Sequence, residues 1–166
     1  MSTLPPPADV SSGAADVPPR PGDALPRPAD VLPHKAPMIL IDELLSATDT
    51  SLTARVLLRD DSPLVQDGRI SSLVAIEYMA QSIAAMAGLR RRSRGENVKK
   101  GFLLGCRELT LGLPELRTGD DLTVLVRETW ATEDLGHFEC TVKRGGDLVA
   151  AGVLSVYQGE LPESVL

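Results

Sequence analysis

The longest apolar run of the chain lies between Leu73 and Ala87 and reads LVAIEYMAQSIAAMA, with eleven of its fifteen residues aliphatic or methionine. Downstream the pattern changes. Leu122, Val124 and Val126, and then Phe138, Cys140 and Val142, alternate with more polar positions, which is the period-two signature of a half-buried antiparallel strand. The apolar run predicts a helix from about Ser71 to Arg92. A helix apolar on every side either spans a membrane or is buried by protein. Fifteen residues fall short of the roughly 18 that a membrane span needs, and a central Glu77 weighs further against one. No membrane span is therefore expected, and the helix should be enclosed by protein.

Punctuation supports these bounds. Pro63, Asp67 and Gly68 break the pattern ahead of the helix, and Ser71 or Ser72 stands where a cap is needed. Arg90, Arg91 and Arg92 bring positive charge to the end where the macrodipole favours it, and Gly95 follows as a stop. Strands are predicted over Met38–Leu45 and Ser51–Leu58 before the helix. After it come Phe102–Leu111, Leu122–Trp130, His137–Lys143 and Leu148–Tyr157, with Gly145-Gly146 as a hairpin turn. One apolar helix followed by four strands predicts an α+β architecture in which an antiparallel sheet wraps one long central helix.

Composition narrows this further. The length of 166 residues suits one domain with a substantial core. Aromatic residues are 3% of the chain, so the core must be aliphatic. A net charge of −6 argues against nucleic acid as a partner, since phosphate neutralisation needs a basic surface. Met1 to Pro33 holds nine of the thirteen prolines. Such a stretch buries too little apolar area to offset its ordering entropy, so residues 1–28 are read as a disordered Pro/Ala-rich tail and 29–160 as the folded domain. The tail contains a near-repeat, LPPPADV at Leu4–Val10 and LPRPADV at Leu25–Val31. No hydrophobic leader opens the chain, which makes the cytoplasm the default location. Cys106 and Cys140 form no CxxC pair and are read as reduced, buried thiols. No metal or dinucleotide motif is present, so neither a metal nor a cofactor is expected.

Chemistry concentrates at Glu77. A carboxylate enclosed in an apolar helix would be desolvated and its pKa raised toward neutrality, a state suited to proton transfer. Its helix face also carries Ala80, Gln81, Ala84 and Gly88, given about 100° per residue. These small side chains would admit another backbone or a thin substrate. Gln81, one turn on, can hydrogen-bond Glu77 and fix its rotamer. A plainer reading pairs Glu77 with an arginine of a neighbouring strand.

Three segments in collinear order then carry a resemblance. LPHKAPMILIDELL (Leu32–Leu45), AIEYMAQSIAAMAG (Ala75–Gly88) and LRTGDDLTVLV (Leu116–Val126) resemble the opening, central helix and later strand entry of the FabZ-type 3-hydroxyacyl-acyl-carrier-protein dehydratases. With GFLLG at Gly101–Gly105, the chain is most similar to the dehydratase-like proteins of aryl polyene pigment clusters. The resemblance implies a hotdog fold and a dehydratase acting in fatty acid, polyketide or aryl polyene synthesis. It implies as well a homodimer or a heterodimer with another hotdog subunit, and a substrate carried on the phosphopantetheine of an acyl carrier protein. By the same resemblance Glu77 is the catalytic acid, and amides at the helix start, here those of Ser72 and Leu73, bind the thioester with Gln81 nearby.

One departure is plain. Where the FabZ-type enzymes carry a catalytic histidine in a QGHFPG loop, this chain reads PLVQDGRISS (Pro63–Ser72). Only His34 and His137 exist. His34 is the candidate base, against a structural role capping local backbone. Asp67 is a weak substitute, since an exposed aspartate is a poor base for this proton, and His137 is read as solvent-side. A third possibility is a half-site subunit whose partner supplies the histidine. An acyl thioesterase of the same fold, which needs no histidine, is the enzymatic alternative. Finally, Arg90, Arg91, Arg92, Arg94, Lys99 and Lys100 form a basic patch that suits an acidic carrier protein or is merely a solvated helix end.

Overall fold

Leu122, Val124 and Val126 are each completely buried, while Thr123, Leu125 and Arg127 between them face outward. That alternation is the inner and outer face of a sheet whose concave side holds the helix. The structure, a computed structural model, describes residues 24–159. Its strands are β1 (Glu43–Ala47), β2 (Ser51–Leu57), β3 (Arg69–Ser71), β4 (Phe102–Leu111), β5 (Glu115–Arg117), β6 (Asp121–Ala131), β7 (Leu135–Arg144) and β8 (Asp147–Tyr157). A 3₁₀ turn, Ser72–Val74, leads into the helix α1, Ala75–Ser93.

Six strands form one antiparallel sheet in the order β1-β2-β6-β7-β8-β4. The short β3 and β5 pair separately. Helix α1 packs on β2, β6, β7 and β8, burying Tyr78, Met79, Ile83, Ala85 and Met86 against the sheet's aliphatic face. This is the α+β hotdog arrangement, a sheet wrapped around one long helix.

Length does not distinguish this helix from a membrane span, contrary to the fifteen-residue reading. With its leading turn it runs Ser72–Ser93 and is long and apolar enough to cross a bilayer, but 61% of its most apolar window is buried inside the fold. Its apolarity is that of a core helix. The Ser71 side chain accepts from the Leu73 N–H at 3.3 Å, which identifies Ser71 as the cap of the leading 3₁₀ turn.

Two boundaries differ from the sequence reading. The strand expected from Met38 begins only at Glu43. Ahead of it the Leu40 N–H donates to Gln81 Oε1 at 2.8 Å, and Gln81 Nε2 donates to Met38 O at 2.8 Å. A helix side chain thus takes the backbone groups that a sheet neighbour would have used. The expected tail, 1–28, lies outside the described residues up to residue 23. From Ala24 on the chain packs: Leu25 lies against the core, and Pro28 is buried at the start of a 3₁₀ turn, Pro28–Asp30.

Candidate functional site

Helix α1 turns its large apolar side chains to the sheet and its small ones to the segment that precedes β1. Glu77, Ala80 and Ala84 face a cleft of about 140 Å³ whose opposite walls are Pro33 and His34 on one side and Phe102 and Leu103 of β4 on the other. The His34 Nε2 stands 3.8 Å from Glu77 Oε1. This exceeds hydrogen-bond length, so the two groups line the cleft side by side without being bonded. The plainer reading of Glu77, an ion pair with an arginine from a strand, does not hold: its neighbours are His34 and Gln81.

Gln81 is completely buried, yet its amide is fully used. Besides its two bonds to Met38 and Leu40, its Nε2 donates to Glu77 Oε1 at 2.9 Å. Glu77 Oε1 is therefore the oxygen held by Gln81. The sequence predicts this contact through the i,i+4 spacing.

Three expectations need correction. Glu77 is not enclosed: its side chain is 39% exposed, because the face it occupies turns from the sheet toward the open cleft. The Ser72 and Leu73 amides, expected to hold a thioester, are already taken. The Ser72 N–H donates to Pro114 O at 3.1 Å and the Leu73 N–H donates to the Ser71 side chain at 3.3 Å. The helix start is thus closed off by its own cap and by the turn before β5. The third concerns the basic patch, of which only part is available. Arg90 bonds Glu128 at 2.8 Å and also the Asp49 carbonyl, and Arg91 bonds Glu96 at 2.9 Å. Arg92, Arg94, Lys99 and Lys100 remain exposed.

Asp67 occupies an exposed turn with φ of 49° and does not line the cleft. His137 on β7 packs against Trp130 on β6 with ring centroids 5.1 Å apart and planes tilted by 47°. Burial pushes the Cys140 thiol up to about 12, with Cys106 nearby adding to the shift, so it is no nucleophile near neutral pH. The His34 Nδ1 is buried without a hydrogen-bond partner among the described residues. No cluster of three or more His, Cys, Asp or Glu able to hold a metal occurs among the described residues. The β4 residues that wall the cleft escaped the sequence reading, although GFLLG at Gly101–Gly105 had marked the segment by resemblance alone.

Comparison with known families gives a match over residues 26–166 to the ApeP-like model, described as ApeP dehydratase. Among solved structures, the dehydratase heterocomplex ApeI:P from Xenorhabdus doucetiae is 30% identical, with a TM-score of 0.80, covering 85% of this chain and 96% of that one. More distant structures share the fold. An uncharacterized protein from Pyrococcus horikoshii is 13% identical, with a TM-score of 0.58 over 80% of this chain and 93% of that one. Thioesterase superfamily member 2 from zebra fish is also 13% identical, with a TM-score of 0.54 over 70% and 80%. A comparison with curated proteins gives no match.

Proposed function

The chain belongs to the ApeP-like dehydratase family, and on that premise we propose that His34 and Glu77 form the proton-transfer pair of a 3-hydroxyacyl thioester dehydratase. The observation that carries this is their adjacency, 3.8 Å apart in the lining of one cleft. The substrate is a 3-hydroxyacyl group held as a thioester on the phosphopantetheine of an acyl carrier protein, within fatty acid, polyketide or aryl polyene synthesis. Neutral His34 Nε2 removes a proton from C2, and the electron pair forms the C2–C3 double bond. The C3–O bond breaks as protonated Glu77 gives its proton to the departing hydroxyl, which leaves as water. His34 then holds the extra proton and Glu77 is ionised, so transfer between them resets the pair. No separate cofactor takes part. Gln81 supports Glu77 by occupying Oε1, which directs Oε2 to the substrate.

The Xenorhabdus structure is a heterocomplex, and we take a second hotdog subunit as this chain's partner too. Edge strand β4, which walls the cleft, leaves Leu103, Leu104 and Leu111 exposed and is the natural seam. With His34 and Glu77 in one cleft, the chain has its own base and does not need to borrow a histidine; the half-site alternative predicts the opposite. The exposed Arg92, Arg94, Lys99 and Lys100 suit the acidic surface of a carrier protein.

The test follows enoyl absorbance and free-thiol release on one 3-hydroxyacyl thioester. Glu77→Gln and His34→Gln should each lower enoyl formation by about 10²–10⁴-fold with unchanged circular dichroism. Thiol release without enoyl product identifies a thioesterase instead. A chain that is inactive until a partner hotdog subunit is added, with His34→Gln then harmless, identifies a half-site.

A further inference from the structure

Glu77, Gln81 and Gly88 lie on one stripe of α1, since positions four and eleven residues on return to nearly the same angle at 3.6 residues per turn. Each meets the segment that carries His34. Gln81 holds its downstream side through Met38 O and the Leu40 N–H, both at 2.8 Å. Gly88 holds its upstream side by close approach. A Cβ at Gly88 would lie 2.0 Å from Val31 O and 2.9 Å from Val31 C, so the Val31 carbonyl rests directly on helix backbone. Val31 is completely buried there. Between these two fixed points the chain runs through Leu32 and Pro33 to His34.

We propose that Gly88 and Gln81 are positioning residues, a two-point clamp by which one rigid helix sets the distance between its own Glu77 and the imidazole of His34. The proposal rests on the reading of His34 and Glu77 as the reacting pair. Helix α1 acts as a ruler, with its carboxylate at one mark and the seats of the histidine-bearing segment at two others. Because the close contact at Gly88 is to backbone, no side-chain adjustment relieves it. A methyl group there must lift the Val31 carbonyl oxygen, 2.0 Å from it, by at least about 1.4 Å to reach the 3.4 Å at which ordinary contact begins, and the shift passes to His34 three residues away. Misplacement of that size costs on the order of 10²-fold in rate.

A nuclear magnetic resonance experiment on the full chain reads the clamp without needing turnover. The chain has only His34 and His137, so His137→Gln leaves one set of imidazole signals. Among the described residues His34 and Glu77 are the only titratable side chains lining the cleft, so a response of the His34 ring to Glu77→Gln reports their proximity. In the otherwise unaltered chain that substitution moves the His34 signals. In a Gly88→Ala background it moves them by a smaller amount, because the charge interaction weakens with distance, and kcat of Gly88→Ala falls about 100-fold with KM within about twofold. Leu89→Ala, beside Gly88 but facing the cleft of the β1–β2 turn, lowers the melting temperature and leaves kcat unchanged. Should Gly88→Ala not fold, Gln81→Met releases the segment from its other side and frees Glu77 Oε1 as well, so both the response and kcat fall.

The clamp is overturned if the His34 response keeps its full size in folded Gly88→Ala or Gln81→Met, or if Leu89→Ala loses kcat as severely as Gly88→Ala. A reduced response in the clamp variants, in a chain that forms no enoyl product from any 3-hydroxyacyl thioester, upholds the clamp and removes the dehydratase role of the pair.

Discussion

A buried glutamine is costly unless every polar atom finds a partner, and Gln81 finds three. Replacing it by leucine keeps the volume but strands Met38 O and the Leu40 N–H. With each unsatisfied buried group costing about 1–3 kcal/mol, Gln81→Leu should lower unfolding free energy by on the order of 3 kcal/mol, read as a shift in the urea midpoint. Gln81→Glu restores the acceptor for Leu40 but places a second carboxylate against Glu77 and the Met38 carbonyl, so it should not rescue stability. The contact from Gln81 to Glu77 was legible in the sequence because i,i+4 neighbours on a helix must meet. Its two backbone bonds were not, since they join residues about forty positions apart in the chain.

Among the elements, β4 combines irregularity with exposure. Its pairing with β8 slips between Leu103 and Gly105 and again between Arg107 and Thr110, and Glu108 takes a φ of 56°. One edge is unpaired among the described residues. Leu104 is 59% exposed, and an open apolar edge of this kind seeks another strand. Leu104→Lys should therefore shift the mass measured by light scattering from an assembly toward a single chain, with melting behaviour otherwise retained. The long strands β4, β6, β7 and β8 were legible to within a residue or two from alternation and turn residues. The three-residue β3 and β5 were not, because a strand that short shows no period.

On the scale of the whole molecule, burial has a consequence at high pH. Desolvation, reinforced by the charge of Asp42, raises Tyr78 to about 12 from 10.0, and burial raises Cys140 to about 12 from 9.0. Both groups hold their protons more tightly folded than unfolded. Their stability contribution is intact below the unfolded values and is lost as pH rises toward the folded ones. The protein should therefore weaken from about pH 9 upward, first through Cys140 and then, between about pH 10 and 12, through Tyr78. Two pKa units correspond to on the order of 2–3 kcal/mol, so Tyr78→Phe should flatten the fall in urea midpoint between pH 10 and 12 while leaving the fall from Cys140.

The sequence by itself determined the helix, the antiparallel strands around it and the prominence of Glu77, because these rest on periodicities of 3.6 and 2.0 that neighbouring residues express. It also placed Gln81 beside Glu77. Tertiary structure alone decided how exposed the carboxylate is, since exposure depends on which side of the helix the sheet leaves open. It closed the Ser72 and Leu73 amides with partners that spacing cannot reveal, and it moved the start of β1 by giving backbone groups to a helix side chain. It also brought His34 beside Glu77. That pairing joins residues 34 and 77 through a buried segment seated on Gly88 and Gln81, and a contact of that range is set by packing rather than by any local pattern.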